Sequence, residues 1–259
     1  MITSPENPKI KLIKKLLSKS SFRNQENMFV LEGKRFVLDA LKNDLQNLVF
    51  LGICSEEKSL KLPKNIEQDK IYYLDTNVLK KISPLRTPPG VLAVIKKPFW
   101  DLEQILKKAK NIVLVDRLQD PSNLGAVIRN CVAFKMDAVL YTPGTVDPFH
   151  PESLRAMAGN YYQLPVLEIQ SSDLIKLIDK QTSVFSLTPN AETPLSKISL
   201  SNKNVFIFGS ERQGIVTPEL LALESKSTKI KINISKDINS LNVAVSSGIV
   251  LYEISRTLF

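Results

Sequence analysis

Histidine is almost missing from this chain: His150 is the single one in 259 residues. That scarcity closes most routes to a histidine-activated nucleophile, and no G-x-S-x-G stretch exists to build a triad around it. His150, between Phe149 and Pro151, reads as a loop residue with a structural or surface role. Cysteine is scarce as well. Cys54 and Cys131 fit a reducing compartment and have neither the spacing nor the neighbours of a metal site. Glycine is limited to nine residues, arranged in neither G-x-G-x-x-G nor G-x-x-x-x-G-K-[ST], so neither a dinucleotide fingerprint nor a P-loop is supported. No apolar run reaches the ~18 residues of a membrane span. The start, Met1 to Pro8, lacks an apolar signal segment. The expectation is a cytoplasmic protein with no metal and no membrane partner.

Apolar residues make up 43% of the chain, enough for a core in one large domain or two of ordinary size. The charge is uneven. Residues 1–97 carry 18 Lys and Arg against 10 Asp and Glu, and residues 98–259 carry 17 against 16, so nearly all of the net +9 lies in the first third. A basic region joined to a near-neutral one suggests polyanion capture in one part and chemistry in the other; solubilising lysines are the competing explanation.

The pattern predicts an α/β protein throughout. In the first part, residues 8–17 place Ile10, Ile13, Leu16 and Leu17 on one helical face behind Asn7 and Pro8. Strands are expected at 28–31, 48–54 and 91–95, with helices at 33–41 and 75–81. Residues 98–109 read as a linker that runs into an amphipathic helix from Leu102, dividing a domain 1–97 from a domain 110–259. Beyond it, strands expected at 112–115, 138–141, 166–169, 184–187, 205–208 and 229–232 alternate with helices at 122–134, 151–158, 172–180, 217–223 and 240–258. Short apolar strands alternating with helices indicate a mainly parallel sheet covered on both faces.

Three segments could carry chemistry. Asp120-Pro121-Ser122 opens a helix whose first turn holds Asn123 and Gly125, with Arg129 less than two turns further on. Free backbone N–H groups and an arginine can grip a phosphate, and an ordinary cap beside a surface arginine has the same appearance. Gly209-Ser210-Glu211-Arg212-Gln213-Gly214 follows a buried strand; its glycines permit close approach to a ligand, or simply make a turn with exposed charges. In the third, Ser240 is placed to cap a helix with Asn242 just inside it. The helix that follows is apolar nearly all round, which fits a core or a subunit interface.

In order, DPSNLGAVIRN at 120–130, FIFGSERQGI at 206–215 and IKINISKDINSLNVAVSSGIVLYE at 230–253 resemble the three motifs of the SpoU/TrmH family of RNA ribose 2′-O-methyltransferases, in the knotted SPOUT class. VDPFHP at 146–151 and RAMAG at 155–159 match the family's intervening run. FVLEG at 29–33 and PGVLA at 89–93 resemble its L30-like substrate-binding domain. The resemblance implies a trefoil-knotted C-terminal domain, a homodimer, and S-adenosylmethionine as cofactor in a pocket lined by Gly209, Gly214, Ile232 and Leu241. It implies a catalytic and substrate-facing set of Asn123, Arg129, Glu211, Ser240 and Asn242, with Arg129 essential.

RNA contacts are expected from Lys9, Lys11, Lys14, Lys15, Arg23, Lys34 and Arg35 of the basic part. Large-subunit ribosomal RNA is the expected substrate, ahead of transfer RNA. A non-catalytic RNA-binding assembly factor of the same fold is the competing reading, against which the presence of Arg129, Glu211 and Asn242 counts. The chain departs from the family pattern at Arg212, Asn233 and Lys236, which bears on loop shape and substrate choice.

Overall fold

The computed structural model describes residues 1–57, 60–178 and 181–258. In chain order the helices and strands are α1 (Pro8–Ser18), α2 (Ser20–Glu26), β1 (Met28–Glu32), α3 (Lys34–Asn43), β2 (Leu48–Cys54), β3 (Ile71–Leu74), α4 (Thr76–Ile82) and β4 (Val91–Lys96). They continue with α5 (Leu102–Lys108), β5 (Asn111–Val115), α6 (Pro121–Ala133), β6 (Ala138–Tyr141), α7 (Pro151–Ala156), β7 (Val166–Glu168) and α8 (Ser171–Leu177). The last are β8 (Thr182–Leu187), β9 (Thr193–Pro194), β10 (Lys203–Phe208), α9 (Pro218–Glu224), β11 (Thr228–Lys231) and α10 (Val243–Leu258). Two compact units result: Met1–Phe99 with Phe149–Tyr162, and Trp100–Pro148 with Gln163–Phe259.

The first unit is built on a four-stranded sheet in the order β1-β4-β2-β3. β4 runs antiparallel to β1 and β2, and β3 runs parallel to β2. Helix α1 forms because Asn7 accepts a hydrogen bond from the Lys9 amide at 2.9 Å and Pro8 occupies its first turn. Its Ile10, Ile13, Leu16 and Leu17 then join the core with Val30, Leu74, Leu79 and Leu92. Residues 149–162 complete this unit. Phe149 and Tyr161 set their rings 4.9 and 4.8 Å from that of Phe29, and the Tyr161 hydroxyl donates to Asp44 at 2.8 Å. His150 caps α7 through Nδ1, which accepts from the Glu152 amide at 3.2 Å.

The second unit holds seven strands in the order β7-β6-β5-β10-β8-β11-β9, each neighbouring pair parallel. Ile112, Leu114, Val205 and Ile207 pack on one face with residues of α5, α8 and α9, including Leu106, Leu174 and Leu220. The alternate residues Val113, Val115, Phe206 and Phe208 are buried on the opposite face, as a sheet covered on both sides requires. The stretch 98–109 therefore contributes packing as well as connection: Leu106 and Ala109 lie in this core.

The structure adds α2, β3 and β9, which periodicity does not show; β3 has only Leu74 buried, and β9 has two residues. The last helix starts later than expected. Asn242 lies outside it, and its side chain, not that of Ser240, accepts from the Ala244 and Val245 amides at 2.9 and 3.3 Å. Nor is that helix buried all round. Val250, Leu251 and Ile254 are in the core, while Val245, Ile249 and Tyr252 are exposed. The end of the expected helix at 172–180 falls outside the described residues.

Candidate active site

The C-terminal ends of β5 and β10, adjacent in the sheet, point their following loops to the same side. Ligands of parallel α/β sheets bind at such ends. Asp116, immediately after β5, is fully buried and ties the two loops together. One carboxylate oxygen accepts from the Thr142 and Thr217 hydroxyls at 2.7 and 2.5 Å, the other from the Val216 and Thr217 amides at 2.7 and 3.0 Å. Burial alone would raise its pKa; the hydrogen bonds from Thr217, Thr142 and the Val216 amide outweigh burial and hold it below the ordinary value. Asp116 is thus a charged brace under the loop that follows β10. It is absent from the sequence-derived site set, although an acid directly behind an apolar strand was the available signal.

That loop closes on itself. The Ser210 and Gly214 backbones exchange hydrogen bonds at 2.8 and 3.0 Å, leaving Glu211, Arg212 and Gln213 exposed at the tip. Gly214 takes φ +69°, the left-handed region. At Gly209 the constraint is space: a Cβ would lie 2.2 Å from the Gly214 carbonyl carbon and 2.5 Å from the Ile215 nitrogen. Only glycine fits there.

Helix α6 begins at Asp120, which accepts from the Ser122 and Asn123 amides at 2.7 and 3.1 Å. The Asn123 amide first, then the Ser122 side chain, hold the Asp120 carboxyl below its ordinary pKa. The Asn123 side chain links the other two segments: its Nδ2 donates to Glu211 Oε1 at 2.8 Å, and its Oδ1 accepts from Asn242 Nδ2 at 2.9 Å. Asn242 Oδ1 in turn caps α10. The result is a relay Glu211–Asn123–Asn242–α10 in which every amide orientation is fixed by its neighbour. A second clasp joins α6 to α10: Asn130 Nδ2 donates to the Ala244 carbonyl and the Ser247 hydroxyl, both at 2.9 Å.

Beside the relay lies a cavity of about 520 Å³. Its walls include all four sequence-derived cofactor residues, Gly209, Gly214, Ile232 and Leu241, together with Glu211, Ser240 and Asn242. Leu187, Thr188 and Pro189, at the end of β8, also line it. Sequence alone does not mark them, since a strand end without glycine or charge gives no chemical signal. The cavity combines apolar side chains of Leu187, Phe208 and Val243 with exposed loop backbone. Among the described residues the backbone groups of Asn239 to Leu241 have no hydrogen-bond partner, so they are available to a ligand.

Arg129 is not drawn into this group. It is exposed on α6, does not line the cavity, and has no hydrogen bond or ion pair among the described residues. Six residues of helix at ~100° per residue leave it about 120° around the helix from Asn123. Asn233 and Lys236 lie outside the cavity lining, whereas Arg212 is part of it.

The basic set divides. Lys11, Lys14, Lys15 and Arg35 are exposed, with Lys11 Nζ 2.6 Å from Glu6. Lys9 lies over the Tyr72 ring at 4.4 Å, and Lys34 is 3.4 Å from Glu57. Arg23 is a correction: it is 1% exposed and donates to the Leu16 carbonyl at 2.7 Å, so its guanidinium ends α1 and is withdrawn from any surface ligand. Both cysteines are buried and free, and burial pushes the Cys131 thiol up, away from reactivity. No metal-binding group of His, Cys, Asp and Glu occurs among the described residues, and no described helix is long and apolar enough to cross a membrane.

Comparison with known proteins identifies the family. Residues 110–252 match the model of the SpoU rRNA Methylase family, and residues 7–93 that of the MRM3-like substrate binding domain. The chain is 29% identical over 258 residues to the 23S rRNA (guanosine(2553)-2'-O)-methyltransferase RlmP of Bacillus subtilis, covering 98% of each. It superposes on a crystal structure of an RNA 2'-O ribose methyltransferase with a TM-score of 0.77 and 28% identity, over 100% of this chain and 99% of that one. An AdoMet-bound rRNA methyltransferase from Sinorhizobium meliloti shares the fold, with a TM-score of 0.83 and 24% identity over 100% and 98% of the chains.

Proposed function

Because this chain belongs to the SpoU rRNA methylase family, we propose that it transfers a methyl group from S-adenosylmethionine to a ribose 2′-hydroxyl of large-subunit ribosomal RNA. The observation that carries this reading is the Glu211–Asn123–Asn242 relay beside a cavity lined by Gly209, Gly214, Ile232 and Leu241. The full-length likeness to a 23S rRNA 2′-O-methyltransferase supports the substrate class.

The cavity fits the cofactor in chemical kind. Its volume of about 520 Å³, its apolar walls and its unpaired loop backbone suit an adenine nucleoside with a polar tail. Gly209, Gly214, Ile232 and Leu241 would hold it, with Gly209 keeping the approach open. When bound, S-adenosylmethionine supplies an electrophilic methyl group on sulfur.

The protein's share is positional. Asn123 and Asn242, locked by the relay, present fixed dipoles, and Glu211 offers a carboxylate to a substrate hydroxyl or amine. Ser240 lines the same cavity. The unpaired guanidinium of Arg129 is free to bind the substrate backbone and stabilise developing negative charge on the 2′-oxygen. Lys9, Lys11, Lys14, Lys15, Lys34 and Arg35 supply phosphate contacts in the first unit, without Arg23.

The C-terminal chain is knotted in this reading, which the family relationship supports, and the working form is a homodimer. An exposed apolar stripe on α10, Val245, Ile249 and Tyr252 at helical spacing, supports the dimer. Two unpaired cysteines are consistent with work in the cytoplasm.

The test is transfer of labelled methyl from S-adenosylmethionine to unmodified 23S rRNA, followed by mapping of 2′-O-methyl sites. Incorporation at one ribose supports the proposal. Label in tRNA alone, or none in any RNA, rejects it.

A further inference from the structure

The first unit contains a second cavity, about 620 Å³, that the relay and the α1 lysines leave unexplained. It opens where the parallel strands β2 and β3 end. Cys54, the last residue of β2, and Leu79 of α4 contribute apolar surface, and Pro88 and Pro89 add flat apolar rings. The loop carrying the prolines is held in place: the Cys54 amide donates to the Gly90 carbonyl at 2.7 Å, and Gly90 takes φ +76°. Lys80 and Arg86 line the cavity, are exposed, and have no hydrogen bond or ion pair among the described residues. Glu56 and Glu57 line it as well, with Glu57 3.4 Å from Lys34.

This mixture selects a ligand class. Two carboxylates would repel a bare anion, and two free cations would repel a bare cation. A ligand that carries an anion at one end, a planar apolar body and N–H donors at the other satisfies every wall. We propose that this cavity receives one unstacked nucleotide of the RNA substrate, its phosphate on Arg86 and Lys80, its base against the prolines and Cys54, and base N–H groups toward Glu56 or Glu57. Single-stranded RNA is read through such splayed bases. The inference rests on the rRNA reading above and adds to it a place where sequence, not only charge, is sensed.

The experiment uses the full chain and an unmodified 23S rRNA transcript. Binding is measured at fixed salt for the wild type, for Lys80→Ala with Arg86→Ala, and for Thr87→Trp, which fills the cavity without changing charge. Both variants should weaken RNA binding at least tenfold while leaving S-adenosylmethionine affinity unchanged, and photocrosslinks from 4-thiouridine-substituted transcript should map to residues 86–90 and be lost in Thr87→Trp. If the charge variant weakens binding but Thr87→Trp stays within twofold of wild type, the edge acts by charge alone and the nucleotide pocket is rejected. Unchanged binding in both variants also rejects it. So does normal binding to naked transcript with lost methylation of ribosomal particles, which would mean a protein contact. Wild-type methylation of rRNA in any of these cases leaves the enzymatic reading intact; its absence removes that reading instead.

Discussion

One strand of this protein ends in a buried acid and another runs directly into one, with opposite outcomes. In the first unit β1 ends at Glu32, which is 7% exposed and whose two carboxylate oxygens have no well-formed hydrogen bond among the described residues. Burial pushes its pKa up, and the nearby Ser83 and Arg155 oppose this only in part. In the second unit β5 runs into Asp116, which is fully buried and accepts four hydrogen bonds, so its pKa is pushed down. Burial is common to both, so the difference lies in the donors supplied. In the second unit Asp116 is tied to the Thr142, Val216 and Thr217 segments. The first unit satisfies buried Arg23 and Asp44 in the same way but supplies Glu32 with too few donors.

Arg129 departs from this pattern, since it is an exposed cation of the second unit with no hydrogen bond or ion pair among the described residues. If it is reserved for substrate, Arg129→Ala should lower kcat by about a thousandfold, the scale of losing a charge-stabilising donor. Titration calorimetry should show S-adenosylmethionine affinity within about threefold of wild type; near-normal methylation would remove Arg129 from the site. A bulkier test of the tied region is Gly209→Val. Its side chain collides with the Gly214–Ile215 backbone, so cofactor binding should fall by about 100-fold, read by the same calorimetry.

The two acids sharpen the contrast in stability. Asp116→Asn places an NH2 group among donors and should destabilise the fold by about 3 kcal/mol, measured by urea unfolding. The stability that Asp116 contributes is full above the ordinary carboxyl value of 3.8 and is lost as pH falls through its lower folded value. Glu32 has the reverse sign. Its folded value lies above the ordinary 4.5, so the native state binds the extra proton and stability declines as pH rises through that window. Glu32→Gln should therefore raise Tm at pH 7 by about 2–4 °C, with the gain vanishing below pH ~4. A variant less stable than wild type at both pH values would show that Glu32 has a partner it needs.

The legible parts of the sequence were those where one residue type has one use. The parallel strands were readable because Ile112 to Val115 and Val205 to Phe208 are apolar on both faces. The glycine loop and its flanking motifs were readable through resemblance, and the structure brings Asn123, Glu211 and Asn242 within hydrogen-bond distance although 88 and 119 residues separate them. Arg23 departs from its expected RNA contact because a guanidinium that ends a helix and one that meets phosphate look alike in a basic stretch. The cap of α10 lies two residues beyond the expected Ser240 because Ser240 and Asn242 are both good caps, and only the Asn123 contact decides between them. β3 escaped notice because Ile71, Tyr72 and Tyr73 are not buried, so no period marks it.

The chain crosses between its two units three times, near residues 99, 148 and 162. Dissection of the gene at the first crossing would therefore not yield a self-sufficient fragment. A recombinant piece ending at Phe99 would lack Phe149 and Tyr161, baring the Phe29 ring and stranding Asp44 without its phenol. Such a truncate belongs in inclusion bodies, and a usable excised module needs residues 149–162 grafted back through a designed connector.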